Sequence, residues 1–210
     1  MSEAISLRGV YAITDAALLP ADVLYSRVEE ALQAGLCLLQ YRNKKDDWDA
    51  RLKEAKALVE LCQRYSTPLL INDDLDLCQA AGADGVHLGQ GDSTLTLARE
   101  TLGADAIIGI TCHDKIALAE QAQRNGASYV AFGRFFASKT KPEAPPADIS
   151  ILQEASSKLN IPIVAIGGIN AENGASLLQA GADALAVINY VFGHNDTNTR
   201  VQQLNSLFKP

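Results

Sequence analysis

The chain of 210 residues is long enough to bury the core of one large domain, and its 48% hydrophobic and 20% charged residues are typical of a globular protein. Its formal net charge of −7 argues against broad binding of nucleic acid, so an anionic ligand must be met by a local cluster of Lys and Arg. The sequence has no apolar run near the roughly 18 residues of a spanning helix and no basic-then-apolar start, which predicts a cytoplasmic protein without a membrane partner.

Short apolar segments alternate with amphipathic ones along the whole chain. In chain order, strands are predicted at residues 9–14, 38–43, 68–73, 85–89, 107–112, 129–133, 162–168 and 184–189. The intervening helical patterns stop at a residue that suits a left-handed C-cap in five cases, namely Gly35, Gly82, Gly103, Gly126 and Gly181.

This alternation predicts an α/β fold, a single (β/α)8 TIM barrel. One domain would span residues 1–210, with the barrel at about 9–192 and a C-terminal helix at about 196–208. An open doubly wound sheet is the alternative. The first strand carries no Gly-x-Gly-x-x-Gly turn, which weakens a dinucleotide-binding version of that alternative.

Polar residues collect where the predicted strands end, which is the catalytic rim of such barrels. Gln40, Arg42 and Lys44 alternate at the end of the second strand, and a guanidinium fork with a nearby ammonium suits a diphosphate. Asp73 and Asp92 leave neighbouring strands, and such hard oxygen ligands suit Mg²⁺. A solvated charged loop and helix N-capping by Asp remain open as alternatives.

Two further stretches on this rim suit anions. Two hydroxyls and two lysines, at residues 138–141, follow the apolar segment "FGRFFA", and Gly167 and Gly168 end the seventh strand, where phosphate sites often lie. His87, inside the fourth strand, is interpreted as a satisfied core histidine rather than a general base. Two anion sites and a Mg²⁺ site together suggest joining a diphosphate substrate to a monophosphate one, with diphosphate as the leaving group.

The stretches "QYRNK", "INDD", "ADGVHLGQGD", "GITCHD", "FGRFFASKTKPEAPP" and "VAIGGI" resemble the thiamine-phosphate synthase family, in order and at suitable separations, from about residue 11 to 192. The resemblance implies a transferase with a barrel fold. Its substrates would be 4-amino-2-methyl-5-(diphosphooxymethyl)pyrimidine and 4-methyl-5-(2-phosphooxyethyl)thiazole, and its products would be thiamine phosphate and diphosphate.

The resemblance also implies a role for individual residues. Catalysis is assigned to Arg42, Thr111 and Lys141, and Mg²⁺ to Asp73 and Asp92. The pyrimidine diphosphate would contact Gln40, Tyr41, Arg42, Asn43, Lys44, Asn72, Thr111 and Lys141, and the thiazole phosphate would contact Ser138, Lys139, Thr140, Gly168, Ile188 and Asn189.

The sequence departs from the family where Ser138 replaces a common Thr and where Thr111 and Asn189 replace a frequent Ser. The first two changes keep a hydroxyl, whereas the third puts a side-chain contact in doubt. A thiazole tautomerase-like isomerase and a non-catalytic phosphate-binding barrel are the alternative functions. The oligomeric state stays open, with a homodimer as one alternative.

Overall fold

The computed structural model describes residues 7–45, 47–91, 94–137 and 145–209. Eight parallel strands close into a barrel in chain order, with β8 pairing with β1. The strands are β1 (Gly9–Ile13), β2 (Leu36–Tyr41), β3 (Leu69–Asn72), β4 (Gly85–Leu88), β5 (Ile107–His113), β6 (Tyr129–Phe132), β7 (Ile163–Ile166) and β8 (Ala184–Val187). The predicted TIM barrel is therefore confirmed.

Helices follow the strands on the outside of the barrel. They are α1 (Ala21–Gln33), α2 (Trp48–Arg64), α3 (Leu75–Ala81), α4 (Leu95–Leu102), α5 (Ile116–Arg124), α6 (Ser150–Lys158), α7 (Gly174–Gln179), α8 (Asn189–Phe192) and α9 (Thr197–Asn205), and a 3-10 turn (Ser206–Phe208) follows α9. The five glycines predicted to end helices all have positive φ, between 70° and 111°. Within the described ranges, no helix combines the length and apolarity needed to cross a bilayer.

Apolar side chains form two layers of core. One fills the barrel interior and includes Tyr11, Leu38, Leu70 and Tyr129, each 1% exposed or less. The other lies between the strands and the helices and is built from aliphatic faces such as those of α1 and α2. Because each fully buried Leu or Val contributes about 1.5–3 kcal/mol, these layers hold the strand ends in fixed relative positions.

The rim at the amino ends of the strands is braced by a repeated contact. A side-chain oxygen of Asp84, Ser128 or Asp183 accepts the backbone N–H near the start of the preceding strand, at 2.7, 3.0 and 2.8 Å respectively. Each of these residues stands two positions after a glycine that ends a helix. Each of these three short segments thus ends a helix with its glycine and joins two strands through a side-chain hydrogen bond. The polar residues lie on the opposite rim.

Candidate active site

Arg42 is held at the end of β2 by the residues that end β1. Its backbone N–H donates to Thr14 Oγ1 at 2.8 Å, and its guanidinium Nη1 donates to Asp15 Oδ2 at 2.9 Å. The Asp15 carboxylate is itself fixed, because its Oδ1 accepts the N–H of Ala17 at 3.0 Å. A guanidinium has five N–H groups, so a single contact to Asp15 orients it while leaving donors for an anion.

Lys44, Asn72 and Asp73 come together beside Arg42, at the ends of β2 and β3. Lys44 Nζ lies 3.8 Å from Asp73 Oδ2, and Asn72 Nδ2 donates to the same carboxylate oxygen. Asp73 has φ of 64°, a left-handed conformation that a non-glycine residue adopts at a cost and that is often found at functional sites. The Lys44 side chain is 61% exposed, so its ammonium can reach a ligand at the rim.

A cleft of about 620 Å³ opens where the loops after β2 and β3 face α4. Its walls include Asn43, Lys44, Asn72 and Asp73, which are all predicted site residues, together with Leu97 of α4. Asp74 also lines it but has structural partners, since its Oδ1 accepts the N–H of Leu77 to cap α3 and its Oδ2 accepts from Arg51. The cleft is therefore the outer part of the predicted diphosphate and metal region.

Inside the barrel mouth, a chain of hydrogen bonds joins two predicted pyrimidine contacts, Gln40 and Thr111. Gln40 Nε2 donates to Tyr11 Oη, which lies 2.9 Å from Tyr129 Oη. Tyr129 Oη lies 2.8 Å from His87 Nδ1, and His87 Nε2 lies 2.9 Å from Thr111 Oγ1. The interpretation of His87 as a satisfied histidine is confirmed, since both ring nitrogens are hydrogen-bonded, but its partners connect it to the site.

Sequence reasoning did not include Asp15, Tyr11 or Tyr129 among the site residues. The pairing of Tyr11 with Tyr129 spans 118 positions and exists only because the barrel closes. A signal was present in the sequence for Asp15, because it directly follows the first strand on the catalytic rim.

Tyr41 has to be removed from the set of side chains that line the site. Its ring is 2% exposed within the layer between strands and helices, and its Oη donates to Glu54 of α2. Successive side chains of a strand point to opposite faces, so Gln40 points into the barrel while Tyr41 points out. Asn43 is also tied to Glu54, at 3.1 Å, although it lines the cleft.

The described residues among those predicted for the thiazole phosphate, Gly168, Ile188 and Asn189, follow β7 and β8. Gly168 has φ of 65°, and a Cβ built there would stand 2.3 Å from the carbonyl oxygen of Ala137. Gly167 is equally crowded, by Arg134 of the loop after β6. The glycine pair thus lets that loop approach β7, a reason separate from anion binding. Ile188 is the single residue between β8 and α8, and Asn189 begins α8.

Several predicted site residues lie outside the described residues: Asp92, Ser138, Lys139, Thr140 and Lys141. Their assignments remain predictions. Among residues 7–45, 47–91, 94–137 and 145–209, no group of three or more His, Cys, Asp or Glu side chains gathers as a metal site. That finding does not test the predicted pair, because Asp73 is its one described member.

Cys112 directly follows Thr111 on β5. It is fully buried, and desolvation by burial raises the pKa of its thiol to about 12. The thiolate is the nucleophilic form of cysteine, so Cys112 stays protonated and unreactive near neutral pH.

Comparison with known proteins identifies the family of this barrel. The family model described as "Thiamine monophosphate synthase" matches residues 10–191, nearly the whole chain. The chain belongs to this family. Thiamine-phosphate synthase of Saccharophagus degradans is 53% identical over 199 residues, covering 94% of this chain and 92% of the relative. Thiamine-phosphate synthase of Nitrosococcus oceani is 52% identical over 191 residues, covering 91% and 88%.

Solved structures agree with this membership. Thiamine phosphate pyrophosphorylase from Pyrococcus furiosus has a TM-score of 0.88 at 30% identity, covering 97% of this chain and 96% of that one. A 3-hexulose-6-phosphate synthase, at 15% identity and a TM-score of 0.67 over 94% and 99% of the chains, shows the shared fold alone. The resemblance inferred from the sequence is confirmed, and with it the prediction that this thiamine monophosphate synthase family member is an enzyme, a transferase.

Proposed function

We propose that this enzyme joins 4-amino-2-methyl-5-(diphosphooxymethyl)pyrimidine to 4-methyl-5-(2-phosphooxyethyl)thiazole, giving thiamine phosphate and diphosphate. The observation that carries the proposal is the contact of Lys44 and Asn72 with Asp73 at the ends of β2 and β3, with Arg42 oriented by Asp15 at the end of the same strand β2. Two cations and an amide beside a carboxylate suit a diphosphate that arrives with a metal ion. The names of the two bacterial relatives agree with this reaction.

The chemistry would be a dissociative substitution. The exocyclic amine of the pyrimidine pushes electrons toward the methylene carbon while the C–O bond breaks, and the diphosphate leaves with the bonding pair. The thiazole nitrogen then donates its pair to that carbon and becomes the positive thiazolium nitrogen. The electron pairs of these steps are accounted for without a protein base. The residues therefore act by orienting both substrates and by stabilising the charge on the leaving group.

Arg42 has the strongest support as the residue that meets the leaving group. Its side chain is only 16% exposed and its guanidinium is oriented by Asp15, so its donors are preorganised before the substrate binds. Preorganised donors act on charge that develops in the transition state without reorganising at that moment. Lys141 would add a second cation, and Thr111 a hydroxyl donor inside the mouth.

The residues fit a bound Mg²⁺. The Asp73 carboxylate is 30% exposed at the rim of the cleft, and Mg²⁺ commonly takes one or two carboxylates together with substrate phosphate oxygens and water. Asp73 and Asp92 would hold the ion. When bound, it supplies charge neutralisation on the diphosphate oxygens. Lys44 Nζ, 3.8 Å from Asp73, would shift from this carboxylate to the phosphate oxygens.

The thiazole phosphate would bind across the barrel mouth. Gly168, Ile188 and Asn189 lie where strands β7 and β8 end, the usual phosphate region of such barrels. Ser138, Thr140 and Lys139 would complete that site, because Ala137 lies against Gly168. The small phosphorylated substrates are the proposed partners, and we keep the expectation of a cytoplasmic enzyme.

A turnover assay with both phosphorylated substrates tests the proposed function. Thiamine phosphate and diphosphate should form in equal amounts, and only when both substrates are present. Isomerisation of the thiazole alone would instead indicate the tautomerase-like alternative. Binding of the thiazole phosphate without any product would indicate a phosphate-binding barrel that has lost the reaction.

A further inference from the structure

We propose that Tyr129 is a positioning residue that fixes the tautomer of His87 and thereby turns the hydroxyl proton of Thr111 toward the pyrimidine substrate. The inference rests on the proposed function, in which Thr111 contacts that substrate. Tyr129 itself acts at a distance from the ligand, through the histidine ring.

The hydrogen-bonded groups form a line that runs from Gln40 through Tyr11, Tyr129 and His87 to Thr111. Its three contacts after Tyr11 measure 2.9, 2.8 and 2.9 Å between heavy atoms. Gln40, Tyr11 and Tyr129 are 2%, 1% and 0% exposed, so each must find its partner within the protein. In such a line, the direction of one hydrogen bond sets the direction of the next.

The direction follows from counting protons. The Gln40 Nε2 group can only donate, so Tyr11 Oη accepts there and gives its single proton to Tyr129. Tyr129 then donates its own proton to His87 Nδ1. A neutral imidazole that accepts at Nδ1 carries its proton at Nε2, and that proton is donated to Thr111 Oγ1.

Thr111 therefore accepts from the protein and keeps its own proton for another acceptor. The pyrimidine substrate offers acceptor atoms in its ring and in its diphosphate. The reverse direction would make Thr111 a donor to His87 and leave it only lone pairs for a ligand. It would also give Tyr11 two incoming donors and leave its own buried proton without an acceptor among the described residues.

The position of Tyr129 is built into the barrel. A Cβ at Gly109 on the neighbouring strand would lie 2.0 Å from Tyr129 Cζ, so the absence of a side chain there makes room for the ring. The His87 ring stacks on Tyr129 with centroids 5.6 Å apart and an interplanar angle of 23°. Burial raises the pKa of Tyr129 well above its ordinary value, so its proton is retained.

The first experiment reads the tautomer directly. Ring ¹⁵N spectra of the full-length protein near neutral pH, with His113→Gln and His194→Gln used to assign signals among the three histidines, should show His87 protonated at Nε2. Protonation at Nδ1 would overturn the proposal, because it would mean that the Gln40 carbonyl faces Tyr11 and that the whole line runs in reverse.

The second experiment removes one oxygen with Tyr129→Phe, which keeps the ring in place. Affinity for the pyrimidine diphosphate, measured by calorimetry, should fall about tenfold, as it should in Thr111→Val. The double variant should bind this substrate no more weakly than the weaker-binding single variant. Both changes remove the same hydrogen bond, the one that Thr111 donates to the substrate. Tyr65→Phe is the control, since that hydroxyl makes a 3.0 Å hydrogen bond to Glu29 away from the barrel mouth.

The outcomes distinguish a failure of the positioning role of Tyr129 from a failure of the proposed function of Thr111. If Tyr129→Phe and Thr111→Val lower affinity by independent factors that multiply in the double variant, the positioning role is wrong. If Thr111→Val alone leaves affinity for the pyrimidine diphosphate unchanged, the assignment of Thr111 in the proposed function fails. The ¹⁵N measurement on the unsubstituted protein decides the tautomer in either case.

Discussion

At the scale of single residues, the pair of Asp15 and Arg42 connects the barrel scaffold to the chemistry. The carboxylate stands between the N–H of Ala17 and the Arg42 guanidinium, at 3.0 and 2.9 Å. Both side chains are less than a fifth exposed, so the contact is screened less than a surface ion pair. Asp15 lowers the positive charge that Arg42 presents but fixes its orientation, and these two effects have opposite consequences for an anion.

We expect orientation to dominate, so that Asp15→Ala weakens catalysis. A hydrogen bond between charged groups contributes about 1.5–3 kcal/mol, so kcat/KM for the pyrimidine diphosphate should fall roughly tenfold or more. In a variant that already carries Arg42→Ala, Asp15→Ala should lower kcat/KM little further. Asp196→Ala, which breaks an Asp–Arg pair of 2.8 Å on the surface of α9, should leave kcat/KM unchanged. Tighter binding in Asp15→Ala would show that charge, not orientation, dominates.

Asp73 is the described half of the proposed metal site. Asp73→Asn keeps the size of the side chain but replaces a charged oxygen ligand with a neutral one. Loss of partners outside the first coordination shell already costs about 10- to 100-fold in metal affinity, so the Mg²⁺ concentration for half-maximal turnover should rise at least that much. Asp22→Asn, in the first turn of α1, is the control. Unchanged Mg²⁺ dependence in Asp73→Asn, or full turnover in EDTA, would rule out this site.

At the scale of elements, the turn after β7 ties the thiazole phosphate region to the loop after β6. Gly168→Ala would place a Cβ 2.3 Å from Ala137 O and in a left-handed conformation. The loop would have to move, so affinity for the thiazole phosphate should fall more than affinity for the pyrimidine diphosphate. Gly82→Ala is a matched control, because its φ is 70° and a Cβ there has no neighbour within 4 Å among the described atoms. An equal loss of affinity for both substrates in Gly168→Ala would contradict the assignment of this turn to the thiazole phosphate.

The side-chain hydrogen bonds that join neighbouring strands at their amino ends contribute to stability rather than to catalysis. Asp183→Ala leaves the N–H of Ile163 without its 2.8 Å acceptor at the start of β7. The free energy of unfolding should fall by about 1–3 kcal/mol, measured by denaturant titration, because a partly buried donor loses a charged partner. The substitution lies at the rim opposite the site, so KM for both substrates should not change. A shift in KM without a loss of stability would contradict this assignment.

At the scale of the whole molecule, the parts that the sequence could predict are those set by local patterns. Glycine at helix ends and the alternation of strands with helices were enough for the barrel, and strand ends located Arg42, Lys44 and Asp73. The side-chain contacts that orient these residues could not be predicted: the pairing of Asp15 with Arg42 depends on the side-chain geometry after two paired strands, and Tyr11 meets Tyr129 only when the barrel closes. The direction of the Tyr41 side chain could have been read from strand alternation and was missed.

The central claim is that Arg42 stabilises the diphosphate as it leaves. Single-turnover formation of thiamine phosphate, with both substrates saturating, tests it most directly because saturation removes the effect of weaker binding. Arg42→Ala should lower the rate of the chemical step by roughly a hundredfold, the loss of one preorganised charged donor, and Arg42→Lys should restore it only in part. Arg200→Ala, which removes the guanidinium that pairs with Asp196 on α9, should keep the rate of the unsubstituted enzyme. If Arg42→Ala also keeps that rate, Arg42 does not act on the leaving group and the account of the site is wrong.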